Sequence, residues 1–224
     1  MKQNITNSFL ALMLVVFVAA GCQNFKSGQA RNTAANVPDG NVKVENYNAD
    51  PTVPNTTMPS SKAIAWNLAD KLSMAAILYD LKGAESSDSL SKAKILAREV
   101  GATVPSFPVK SGDKSKDTAA ILAYLLNDVN KNIGSQVKAK YGQSEAALFE
   151  MSLKSNILLL LYAPGDSMGK TVAKVITANA KTAGLPENLW MPTVQKIESG
   201  ASFDEVKNAI LKMQTDVSQH LGKS

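Results

Sequence analysis

Apolar residues fall along this chain in three regimes. An unbroken apolar run occupies residues 9–20. From Gln23 to about Pro59 large apolar residues are scarce and keep no sustained period, while asparagines from Asn24 to Asn55 are interspersed with Pro38, Pro51, Pro54 and Pro59. Beyond Ser60 they recur at steps of three and four, the spacing that lines up side chains on one face of a helix. The middle regime cannot bury enough surface to offset its ordering entropy, so it reads as a disordered tether. As a flexible coil it would hold its ends on the order of 35 Å apart. Val42 and Val44 alternate as in a strand over residues 42–47, but no partner strand is in evidence.

Within the third regime the pattern predicts a series of helices. The first starts at Ser60 or Ser61, either of which can cap it, and carries Ile64, Leu68, Leu72, Ala75 and Tyr79 before Gly83. A short second helix, about residues 87–100, turns Leu90, Ala93, Ala97 and Val100 inward and stops at Gly101. Pro105 and Pro108 then force an extended crossing around Phe107. The third helix begins between Ser115 and Asp117 and carries Leu122, Leu126, Val129, Ile133 and Val137 as far as Gly142. Gly134, about 1 kcal/mol worse than Ala in a helix, marks a bend or break over residues 130–134.

The fourth helix begins at Gln143 or Ser144. It is apolar nearly all round, with Leu148, Met151, Leu158 and Tyr162 on one side and Phe149, Leu153, Ile157 and Leu160 on another. Such a helix is buried, and it is expected at the centre of the bundle. A fifth follows Pro164-Gly165 and ends near Ala183. Pro186 opens a turn bearing Leu189 and Trp190, and Pro192 starts a short helix through Glu198. The last opens on Ser202-Phe-Asp-Glu205, a capping box, and carries Phe203, Val206, Ile210, Met213, Val217 and His220 along one seam. The expected fold is all-α: one bundle of six or seven helices over residues 60–224, after a tether over 22–59.

The first residues carry a different message. Lys2 precedes the apolar core, which is too short to span about 30 Å of hydrocarbon and has the proportions of a secretory signal. It ends in Ala19-Ala20-Gly21-Cys22. This stretch resembles the lipobox of bacterial lipoproteins, with Ala19 where that family prefers Leu. The resemblance covers residues 1–22 only; the helical part carries no family motif. It implies cleavage between Gly21 and Cys22, removal of residues 1–21, and a lipid thioether on Cys22, the chain's one cysteine. The membrane would then be a partner through that lipid, and the chain would work in the cell envelope. In a Gram-negative cell Gln23, where an Asp would signal inner-membrane retention, points to the outer membrane.

Composition changes the picture little. The formal charge of +5 includes Lys2, and acids and bases are otherwise interleaved, so no clustered basic face for nucleic acid is read. Candidate chemistry is equally sparse. Gly165-Asp-Ser-Met-Gly169-Lys170-Thr171 imitates a phosphate-binding loop. It has one residue too few between its glycines, and Pro164 offers no N–H where the loop would need a glycine; it reads as a turn with Asp166 or Ser167 as N-cap. His220 is the one histidine and suits a last helical turn. Asp113 to Asp117 lacks the spacing of a calcium loop, and Ser111-Gly-Asp-Lys114 has serine–lysine spacing without a companion motif. Trp66, Tyr79, Phe149, Tyr162 and Trp190 could line a groove, but their spacing assigns them first to the core or its rim.

No catalytic, cofactor-binding or metal residue is therefore assigned. The sequence reads as a lipid-anchored envelope protein whose helical module binds a protein or cell-wall partner. An envelope enzyme of unfamiliar helical type, or a carrier of an apolar small molecule, are the alternatives.

Overall fold

The computed structural model describes residues 59–83 and 87–223; Gly21, Cys22 and the tether lie outside them. The described residues form an all-α domain without strands. Helix α1 spans Ser61–Lys82 and α2 spans Asp88–Glu99. Helix α3, Lys114–Ala123, runs without a break into a π-helix, Tyr124–Ile133, and on into α4, Gly134–Tyr141. Then follow α5 at Gln143–Leu161, α6 at Ser167–Ala183, a 3₁₀ turn at Glu187–Leu189, α7 at Met191–Glu198 and α8 at Phe203–Leu221. Counting α3, the π-helix and α4 as one rod, the described residues make seven helices.

The caps explain the boundaries. Ser60 accepts from the N–H of Ala63, Ser87 from Leu90, and Asp113 from Ser115 and Lys116, satisfying N-terminal donors that a helix cannot pair itself. The cap of α3 is thus Asp113, slightly earlier than the apolar pattern suggested. Asp166 caps α6 through the N–H of Met168. At α8 the capping box forms as expected, Ser202 and Glu205 bonding each other reciprocally.

That box carries a pH dependence. Lys196 donates to Glu205 at 2.8 Å, and the Ser202 hydroxyl and N–H donate at 2.8 and 3.1 Å; these bonds hold the carboxylate far below its usual 4.5, at about 2. A carboxylate whose pKa is lowered by folding stabilises the fold above its unfolded pKa, and the contribution is lost as pH falls through the folded one. Melting temperature should therefore decline between about pH 4.5 and 2, less steeply in Glu205→Gln. The pair is about half exposed, so the difference between the two slopes should be small.

Two helices occupy the centre. Helix α5 is buried on all sides as its pattern required, with Leu148, Phe149, Met151, Leu153 and Leu158 fully enclosed. The other is α1, in which every residue from Ala63 to Tyr79 is buried. The apolar pattern did not single it out, because Asn67, Asp70, Lys71 and Ser73 interrupt it. Helix α1 packs along α5 on one side and α2 on another, α6 covers α5, and α8 closes over α1, α5 and α7.

Three expected faces need correction. Helix α2 points Leu96 inward, 1 % exposed, while Leu90 is half-buried. The seam of α8 ends on Leu221 and leaves His220 exposed. In the long rod the stripe is Ile121, Leu125, Val129, Ile133 and Val137; Leu122 lies at its margin and Leu126 is half-buried. The break expected over residues 130–134 is replaced by the π-helix. Gly134 faces the ring of Phe149, which a Cβ on it would meet at 3.4 Å, an ordinary contact distance.

Candidate functional site

Two features of the domain carry concentrated polar chemistry, one inside the core and one at the surface. The first is a chain of hydrogen bonds through the centre. Asn156, in the middle of α5, donates through Nδ2 to Asp70 Oδ1 at 3.0 Å and to the Ser73 hydroxyl at 2.9 Å, both on α1. Its Oδ1 accepts from Gln214 Nε2 of α8 at 3.1 Å. Gln214 also donates to the carbonyl of Ser152 at 3.0 Å, and the Ser152 hydroxyl donates back to Gln214 Oε1 at 3.0 Å. Trp66 Nε1 donates to the Gln214 carbonyl at 3.2 Å. Lys71 Nζ lies 3.1 Å from Asp70 Oδ2, with both side chains at 10 % exposure or less.

A buried amide or charge is tolerable only when its donors and acceptors are met. Here both amide side chains use their carbonyl and NH₂ ends, and the carboxylate of Asp70 is shared between an amide and an ammonium. The circuit ties α1, α5 and α8 into one register. Asn and Gln neither take up nor release protons at ordinary pH, so the circuit is a clamp rather than a proton relay.

The second feature is an open groove of about 610 Å³ beside the rod. One wall is the strap that follows α2, contributing Gly101, Thr103 and Pro105. The other is the end of the π-helix and the start of α4, contributing Lys131, Asn132, Ser135 and Gln136, with Ile133 also lining it. The strap is held in place from beneath. Tyr124 donates its phenol proton to the Pro105 carbonyl at 3.1 Å, and burial raises its pKa so that the donor stays protonated. Phe107 stacks on Tyr79 with centroids 4.7 Å apart and meets Tyr124 edge-on at 5.5 Å. Tyr79 in turn donates to the Pro108 carbonyl at 3.0 Å. The extended crossing around Phe107 is therefore an aromatic latch that fixes one wall.

The motifs singled out from sequence fall into place around these features. Gly21 and Cys22, expected to carry cleavage and lipid, lie outside the described residues. The Gly165–Thr171 stretch is a turn leading into α6, and Gly169 is a close-packing position: a Cβ there would lie 3.1 Å from Tyr162 Cε2 and 3.3 Å from Ile197 Cγ2. Ser111 and Asp117 form a loop clamp. The Ser111 N–H donates to Asp117 at 2.7 Å, its hydroxyl at 2.8 Å and the Gly112 N–H at 3.2 Å, and these bonds lower the pKa of Asp117. On α5, Lys154 pairs with Glu150 at 2.6 Å and Ser155 bonds back to the Met151 carbonyl. Trp66, Tyr79, Phe149, Tyr162 and Trp190 are all core residues.

Sequence reading passed over both features. For the clamp there was a signal, since Ser152 and Asn156 interrupt a helix that is otherwise apolar all round. For the groove there was none in residue type, because Thr103 and Gln136 look like ordinary surface residues until the strap and rod bring them together. No helix among the described residues is long and apolar enough to cross a membrane. Among those residues no group of three or more His, Cys, Asp or Glu is placed to hold a metal ion. Compared with protein-family models, with curated proteins and with solved structures, the chain matches none.

Proposed function

We propose that this chain is a bacterial lipoprotein: Cys22 carries the lipid, residues 23–59 act as a tether, and the helical domain presents a binding face to a protein or cell-wall partner at the envelope. The observation that carries the reading is the order of parts at the start of the chain. A lysine, a twelve-residue apolar core ending in Ala19-Ala20, then Gly21 and the chain's one cysteine follow one another as lipidation requires. Small side chains let the extended backbone enter a peptidase site, and the thiol is the acyl acceptor. Two or three acyl chains hold a protein on a membrane far more firmly than one, at about 0.8 kcal/mol for each buried CH₂. In a Gram-negative cell, Gln23 in place of an aspartate favours the outer membrane.

The domain itself favours binding over the other readings. Its centre is a polar clamp whose groups are mutually occupied, rather than a constellation free to attack a substrate. A carrier would need space beside α5, where Leu148, Phe149 and Leu158 are packed into the core. Fractionation of cells tests the anchor. The natural chain should sediment with membranes, and Cys22→Ser should leave most of it in the soluble or uncleaved precursor fraction. Retention of a processed Cys22→Ser chain on membranes would contradict the proposal.

A further inference from the structure

We infer that the groove between the strap at Gly101–Pro105 and the π-helix end binds a ligand carrying a carboxylate beside a secondary amide. Its size falls within the several hundred Å³ usual for small-ligand sites. Lys131 is the one charged residue among those lining it, and among the described residues no carboxylate pairs with it. Among the described residues the groove is thus a cationic surface without a paired carboxylate, and an ammonium paired with a carboxylate gives a charge-assisted hydrogen bond, stronger than a neutral one. Beside the lysine stand the side-chain amides of Asn132 and Gln136. Each offers one acceptor and two donors, the complement of a secondary amide's N–H and C=O. Pro105 supplies apolar contact for a small alkyl group between the polar ends.

The backbone supports the same assignment. An i→i+5 turn is wider than an α turn, and such turns are rare and found frequently at functional sites. Here it ends at Ile133, so Lys131, Asn132 and Ile133 reach one groove as three successive residues, with Ser135 and Gln136 following in the first turn of α4. The opposite wall is fixed by the Tyr124–Pro105 bond, so little ordering remains to be done on binding.

An acidic peptide terminus and an N-acylated sugar acid share this chemistry. Both can be titrated calorimetrically into the full chain held in detergent micelles, as N-acetyl-Ala-Ala and N-acetylmuramic acid. Their uncharged counterparts, N-acetyl-Ala-Ala-amide and N-acetylglucosamine, serve as controls. At least one acid should bind saturably at one site, with its neutral counterpart about tenfold weaker or more. Lys131→Met should weaken the acid by a similar factor while leaving the melting temperature unchanged, because the side chain is exposed. Which acid binds tells the two sources apart. Absence of saturable binding by both acids, equal binding of acid and neutral forms, or binding indifferent to Lys131→Met would overturn the inference. The inference rests on the groove and not on the anchor, so loss of lipidation leaves it standing and loss of ligand binding leaves the anchor standing.

Discussion

Asp70→Ala should lower the stability of the domain by about 3–5 kcal/mol, the usual cost of removing one partner from a buried ion pair. The substitution leaves the ammonium of Lys71, 3 % exposed, without its carboxylate, and leaves Asn156 Nδ2 short of one acceptor. Neither group can turn to water without opening α1 from α5. For a domain of this size the loss corresponds to a fall in melting temperature on the order of 10 °C. Asp70→Asn keeps an acceptor for Asn156 but not the charge for Lys71, so it should fall between the two. Replacing Asp70 and Lys71 together by Leu and Met removes both charges, and should recover much of what Asp70→Ala loses. Denaturant unfolding of the four chains separates the clamp from simple side-chain volume, since the double variant restores no hydrogen bond to Asn156.

Phe149→Ala should cost a similar amount, about 3–5 kcal/mol, through a different mechanism. Phe149 is fully buried, and its ring faces Gly134 of the rod. Removing the ring leaves a cavity that Gly134 has no side chain to fill. Phe149→Leu retains most of the volume and should lose markedly less. The loss should appear in thermal unfolding followed by circular dichroism, with no change in helical content at 20 °C or so below the midpoint.

The contrast between these two positions shows what was legible beforehand. Phe149 sits in a helix whose apolar residues surround it, so its burial followed from pattern alone. Helix α1 is as deeply buried, yet Asp70 and Lys71 disguise it as half-exposed, because pattern reading assigns charges to water. The burial of Asp70 is matched by Asn156, which lies more than eighty residues away and is itself held by Gln214 of the last helix. Such pairing is settled by tertiary structure and cannot be read from local spacing.

The long rod is a different case, for its signal was present in the sequence. Ile121, Leu125, Val129, Ile133 and Val137 recur at strict steps of four. In an α-helix four residues overshoot a full turn by about 40°, so the stripe would wander by about 160° from first to last. An i→i+5 turn rotates less per residue and takes that drift back out. The π-helix at Tyr124–Ile133 therefore keeps all five residues on the core side. A reading tied to α-periodicity picks Leu122 and Leu126 in their place and takes Gly134 for a weak point. His220 is exposed for a plainer reason: at the end of the seam the next apolar residue, Leu221, takes the last buried place.

The proposed site of attachment, unlike the groove, rests on sequence alone, because lipidation is read by enzymes from an extended segment rather than assembled by folding. Mass spectrometry of the mature protein purified from its own cells tests it most directly. The expected result is an N-terminal peptide that begins at Cys22 and carries a diacylglycerol thioether, with the amine acylated or free. An unmodified Cys22, or a mature chain beginning at any other residue, would contradict it.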